Sequence, residues 1–277
     1  MKNAIMTYWR YPGLTTRRVS LLFLLCTQQA LADHEVLPRL ELGVSLLTLQ
    51  TPDYRGSSSI SNFTTPAPYI VYRGDLFKIE DGTPSLKFES KDLRLTVSAN
   101  ISLPVDSDNR ERSGMEALDA SLEIGPSLDY RFWQSGRNEL WLEFPLRFAF
   151  TFESHSRTIG QVFSPRIAWL LPSRHKTDWE LRIAAGPLFA SQRNHAYFYD
   201  VEAVDVRPDR PAFEADGGYS GFRTDLSYGQ RLKQFWFGGF VRYDTLTDSV
   251  VADSPLIAEP SAWIAGFGVS WIFSESY

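Results

Sequence analysis

The side chains best suited to proton transfer in this 277-residue chain are its four histidines, His34, His155, His175 and His195. A hydrolase would need one of them beside a nucleophile and oriented by a carboxylate. His155 and His195 fall in long polar segments, and Asp200 and Asp205 follow His195 closely, which sketches a protease site on a rim. The competing reading, adopted here, is that His155 and His195 are solvated loop residues. His34 sits next to the expected mature N-terminus and His175 in a short turn. No histidine falls on an alternating segment, where a rigid strand could hold a nucleophile and its base together. No catalytic residue is assigned, and no enzymatic activity is expected.

Metal chemistry finds little more. There is no His-x-His pair and no EF-hand loop. Pro104-Val-Asp106-Ser-Asp108-Asn109 spaces oxygen ligands as a loose calcium site would, yet a polar solvent-facing loop has the same composition. No metal and no cofactor is expected. Arg73-Gly74-Asp75 invites an adhesion reading, but Gly and Asp favour tight turns, and the triplet is placed in one. The only cysteine, Cys26, lies in the leader, which leaves a mature chain without thiol or disulfide chemistry.

A set of charges is more informative. Arg94, Glu123, Arg131, Glu143, Arg147, Arg166, Glu180, Arg182, Arg223, Asp225, Arg231, Arg242 and Asp244 all occupy the polar rows of alternating segments. Facing a barrel lumen, they either pair across neighbouring strands and stiffen a narrow barrel or line a pore and select ions. The sequence leaves both open.

The elements that carry these charges are strands. Leu93, Leu95, Val97, Ala99, Ile101 and Leu103 alternate with Arg94, Thr96, Ser98, Asn100 and Ser102, and Leu140 to Phe152 repeats the pattern with Trp141, Glu143, Pro145 and Arg147 between. Each such run approaches the 9 to 11 residues a tilted strand needs to cross a bilayer. Strands are placed at 39–49, 67–73, 75–80, 84–90, 92–103, 117–132, 139–152, 161–171, 179–190, 219–231, 235–246 and 261–273. That gives about twelve, or ten if those between 67 and 90 merge. Short connections at 133–138, 172–178 and 232–234 alternate with longer polar ones at 104–116, 153–160, 191–218 and 247–260. An all-β transmembrane antiparallel barrel shows this asymmetry, with periplasmic turns and extracellular loops.

With 19 Phe, 12 Tyr and 8 Trp the composition favours strands. With 28 Lys plus Arg against 33 Asp plus Glu it carries no nucleic-acid footprint. Arg17 and Arg18 precede an apolar run ending near Cys26, and Ala30-Leu31-Ala32 is a small-residue cleavage site, so 1–32 is a cleaved signal peptide and 33–277 a single barrel domain. Leu25 before Cys26 argues against lipid attachment, and Met6 is an alternative start. Losing Lys2, Arg10, Arg17 and Arg18 takes the formal charge from −5 to −9. Trp263, Ala265, Phe267, Val269, Trp271 and Phe273 form one row of a last strand ending near Tyr277, the kind of end that outer-membrane insertion machinery recognises.

Several stretches resemble the MipA/OmpV family of outer-membrane proteins. They are Thr51-Pro-Asp-Tyr54-Arg-Gly56, Ala67-Pro68-Tyr69-Ile-Val-Tyr72-Arg73-Gly74-Asp75, Ser102-Leu-Pro104-Val-Asp106-Ser-Asp108-Asn109-Arg110, Leu118-Asp119-Ala120-Ser-Leu-Glu-Ile-Gly125-Pro126 and Asp253-Ser254-Pro255-Leu256. The resemblance runs from about Gly43 to the C-terminus. It departs in the loop from Asn194 to Gly217, which keeps Ala196-Tyr197-Phe198, and at the end, where Ser274-Glu-Ser-Tyr277 replaces a terminal Phe. The resemblance implies an outer-membrane scaffold that binds a lytic transglycosylase or a murein synthase on its periplasmic face. Its alternatives are a narrow permeability barrel affecting solute or antibiotic entry, or a surface adhesin. It also implies contact with the lipid bilayer and lipopolysaccharide.

Overall fold

A computed structural model describes residues 37–74, 77–80, 83–86, 90–152, 156–173, 175 and 178–277. The signal peptide with Met6 and Cys26, His34, most of the N-terminal segment 33–38, Asp75 and His155 lie outside the described residues.

Among the described residues the strand segments are β1 (Leu40–Pro52), β2 (Ile60–Arg73), β3 (Phe77–Glu80), β4 (Thr83–Leu86), β5 (Leu93–Ser102), β6 (Ser121–Ser135) and β7 (Asn138–Thr151). They continue with β8 (Thr158–Phe163), β9 (Arg166–Leu171), β10 (Trp179–Ala190), β11 (Gly218–Leu232), β12 (Phe235–Thr245) and β13 (Ser261–Ser276). Each pairs antiparallel with its neighbours in chain order except β8 and β9, which both pair with β7 and β10, and β13 returns to pair with β1 from Leu40↔Ser276 to Gln50↔Ala265. That last ladder joins the first strand to the last and closes the sheet into a barrel.

β8 and β9 share one position in the wall. Both lie between β7 and β10, and Ser164-Pro165 separates them. Proline has no N–H for the ladder, which is why the strand placed at 161–171 comes in two pieces. Counting them together, twelve strand positions form the barrel among the described residues.

Side chains follow the alternation inside out. Val44 and Leu46 on β1, Phe144, Leu146 and Phe148 on β7, and Phe267 and Trp271 on β13 are exposed on the outer surface, while Ser45, Glu143, Arg147, Thr151 and Ser270 are buried within. A water-soluble sandwich would bury the first row and expose the second. Aromatic pairs flank the apolar belt at both ends. Tyr243 and Trp263 lie 4.9 Å apart between ring centroids near the long loops, and Trp271 and Phe273 lie 5.9 Å apart near the termini. Such girdles mark the two bilayer interfaces.

One end carries short turns. Gly136-Arg137 joins β6 to β7, with Gly136 at φ 59°, and Lys233-Gln234 joins β11 to β12, with Lys233 at φ 57°. The strand placed at 117–132 runs on to Ser135 because the turn is tight, and it starts only at Ser121 because Leu118 before it bridges to Val105. β2 begins at Ile60 rather than at residue 67, where the apolar alternation starts.

Candidate functional site

The interior of the barrel is an ion-pair lattice. Near the termini Glu41, almost wholly buried, receives Arg73 at 2.7 Å and also Arg231, which pairs with Glu275 as well. Above this level the guanidinium of Arg94 stacks 3.9 Å over the Trp141 ring and meets Asp129 at 3.1 Å. Glu143 draws Arg166 and Arg182, each at 2.6 Å, and Arg147 meets Glu123 at 2.9 Å. Higher still, Arg242 pairs with Asp225 at 2.7 Å and Arg223 grips Asp244 through two hydrogen bonds of 2.7 and 3.0 Å. Of the two uses open to these charges, cross-strand pairing is the one the lattice displays. Glu41, Asp129, Glu143, Asp225 and Asp244 are buried, so each depends on its arginine partners.

The long-loop end is covered by a folded lid assembled from residues 53–59, 103–120, 191–217 and 246–260. Its core joins Tyr54, Val105, Leu118, Tyr199, Ala215, Leu246 and Val251, and beside it pack Met115, Val201 and Leu256. These loops carry apolar residues at no regular period, so their alternation gives no sign of a core. The helix α1 (Gln192–Tyr199) forms where Ser191 caps it, its hydroxyl accepting from the Asn194 amide. The loop expected to be solvated at 191–218 is therefore an ordered element.

His195 illustrates the correction most directly. Rather than a solvated loop residue it is 1% exposed, and its Nδ1 donates to the Asp216 carbonyl at 2.6 Å. Burial pushes its pKa below the usual histidine range, opposed by that hydrogen bond and reinforced by the charge of Arg55. Neither acidic residue of the sketched rim protease joins it. The Asp200 carboxylate accepts from the Ala215 amide at 2.7 Å, and the Asp205 carbonyl accepts from Arg210.

Two tyrosines anchor the lid. Tyr54 donates to the Leu256 carbonyl at 2.7 Å and Tyr199 to the Arg55 carbonyl at 2.9 Å, and burial raises both hydroxyls, Tyr199 to about 12. Arg112, its pKa lowered by burial, holds the Phe198 and Glu116 carbonyls.

The other candidates resolve into structural roles. Asn109 of the suspected calcium loop donates to Asp53 at 2.8 Å and to Ser57 at 3.1 Å, while Asp106 and Asp108 stay exposed. Among the described residues no cluster of metal-ligating side chains forms. Arg73 of the Arg-Gly-Asp triplet is spent on Glu41 and the Pro38 carbonyl. His175 sits in the turn between β9 and β10, as placed from sequence.

A closed antiparallel wall with an apolar belt, aromatic girdles and an ion-paired interior defines a transmembrane β-barrel. The chain belongs to the MipA family: the model of the family described as MltA-interacting protein MipA matches residues 43–273. No curated protein matches. Among solved structures the chain is similar to an outer membrane channel from Pseudomonas putida F1 (11% identity, TM-score 0.45, covering 89% of this chain and 100% of that one). It is also similar to a bacterial polysaccharide outer membrane secretin (9%, TM-score 0.41, 87% and 100%) and to the outer membrane protein OprG from Pseudomonas aeruginosa (9%, TM-score 0.22, 85% and 93%). The protein is an outer-membrane barrel, and its short-turn end, where β1 begins and β13 ends, is by the usual asymmetry of such barrels the periplasmic one.

Proposed function

We propose that this protein is a non-enzymatic, non-conducting scaffold whose periplasmic rim docks a murein-remodelling enzyme, a lytic transglycosylase or a murein synthase. The observation that carries this reading is the obstructed axis. The lumen is bridged by paired charges and covered by a packed lid, which favours a role built on a rim over passage along the axis. The family's description as MltA-interacting supports the class of partner.

The rim itself is preorganised. Arg137 in the β6–β7 turn donates to the Pro172 and Trp179 carbonyls, both at 2.9 Å through Nη2, and pairs with Asp178 at 2.8 Å. The β6–β7 turn is thereby tied to both flanks of the β9–β10 connection, which lowers the entropy a partner must remove on docking there. Export by cleavage after Ala32 and contact of the belt with lipid and lipopolysaccharide belong to the same reading.

The test is a pull-down from detergent-solubilised envelopes with the parent barrel, turn-swapped variants at 136–137 and 172–178, and lid-swapped variants as baits. Retention of an identified murein hydrolase or synthase, lost on changing the turns but kept on changing the lid, is the expected result. Absence of any murein enzyme from the parent sample would sink the proposal.

A further inference from the structure

The wall is not paired at every level. β2 is registered against β3 only at Tyr72↔Ile79 and Arg73↔Lys78, and β5 against β4 only at Leu95 and Thr96. Above those pairs, among the described residues, no strand is registered on that side of β2 between Ile60 and Pro68 or of β5 between Val97 and Ile101.

Backbone polarity along β2 fits this gap. The Arg73 amide donates to the Arg39 carbonyl, and the register with β1 is unbroken from Leu40↔Tyr72 to Pro52↔Ile60. Odd-numbered residues of β2 therefore bond to β1, and even-numbered ones turn their backbones toward the gap. Pro66 and Pro68 are even. They remove two N–H groups where an unpaired donor would stand bare at membrane depth.

Behind the gap lies the upper lumen, a chamber of about 400 Å³ roofed by the lid. Lumen-facing Phe63 and Asn100 line it, and so does Ile101, which belongs to the outward apolar row and is 63% exposed. Ile101 stands on the stretch of β5 that, among the described residues, has no registered partner on this side, so the gap and the chamber meet at this edge. Its roof carries Asn194 and His195, whose Nδ2 and Nε2 atoms are buried without a hydrogen bond. Because Nδ1 of His195 donates to Asp216, Nε2 is left as an acceptor, while the Asn194 amide is a donor.

We propose that the gap between β2 and β5 is a lateral portal admitting a single-chain amphiphile with a hydroxyl-bearing head group from the outer leaflet. Its chain lies at the apolar mouth by Phe63 and Ile101, and its head accepts from Asn194 and donates to His195. The site goes beyond the scaffold reading and stands without it.

The test uses an alkyl alcohol carrying a photoactivatable diazirine, irradiated with the full-length barrel in lipid nanodiscs, and adducts mapped by mass spectrometry. Belt residues such as Leu128 and Phe148 are labelled in any case. The expected result is a second set of adducts on lumen-facing Phe63 and its neighbours, suppressed by excess dodecanol but not by the same chain bearing a quaternary ammonium. Ser61→Trp or Ser102→Trp, whichever retains the heat-modifiable migration of a folded barrel, is expected to lower that second set about tenfold by filling the mouth. Labelling confined to the belt would overturn the portal. So would slow amide exchange at Val97, Ala99 and Ile101, since protection there means that a paired strand already fills the gap.

Discussion

Arg242 on β12 and Asn100 on β5 stand on opposite walls, six strand positions apart in either direction, and yet Nη1 of Arg242 donates to Oδ1 of Asn100 at 3.4 Å. The lumen is pinched at this level by a contact between two side chains, with Asp225 holding the same guanidinium from the neighbouring strand. In planar bilayers the parent is expected to show no steady conductance. Arg242→Ala combined with Asn100→Ala should introduce brief openings, and steady steps in the parent would contradict the obstructed axis.

The closing seam gives a stability test. Arg231 on β11 reaches both Glu41 on β1 and Glu275 on β13, spanning the ladder that joins the first strand to the last. Arg231→Met would leave Glu41 as a buried carboxylate with, among the described residues, only Arg73 paired to it. A loss of about 3–5 kcal/mol is expected for breaking a buried pair in this way. It would be read as a lower temperature for the gel-mobility shift that accompanies barrel unfolding.

The lid is expected to loosen in acid. Burial holds the folded-state pKa of His195 below its ordinary value of 6.5, so the open lid binds the proton more tightly than the closed one. Stability contributed by the neutral ring is fully present above about pH 6.5 and is lost as the pH falls from there toward the lower folded pKa. Protease cleavage within 191–217 should accelerate over that window in the parent, and His195→Gln should flatten the dependence. An unchanged slope in the variant would assign the effect to another group.

Packing in the lid can be probed at two positions. Leu256→Ala removes a fully buried side chain and is expected to cost the lid about 2–4 kcal/mol. Tyr54→Phe leaves the Leu256 carbonyl without its donor at a cost of about 1–2 kcal/mol. Both should raise proteolysis in the loops while leaving the barrel's resistance to detergent unchanged.

The barrel was legible because its physics is periodic. Leu93 to Leu103 and Leu140 to Phe152 carry an apolar row for lipid and a polar row for the lumen, and the two rows face as their alternation requires. The upper half of β2 was not legible. Its lumen side holds Ser61, Phe63 and Thr65, its outer side Asn62, Thr64 and Pro66, and neither row has a single polarity. The lid was hidden for a different reason. Tyr54, Leu118, Tyr199 and Val251 come together only in three dimensions, and no local period announces a core built from four loops. A run of apolar residues inside segments otherwise read as polar, such as Val250, Val251, Leu256 and Ile257, was the available signal.

Tyr54 and Leu256 touch across 202 residues of sequence, and Tyr199 reaches Arg55 across 144. Such a core cannot condense early, because closing loops of that length is entropically unrewarded until the wall has brought their ends together. The lid therefore comes last in the order of assembly. Its protected state serves as a timestamp, marking molecules whose first and last strands have already met.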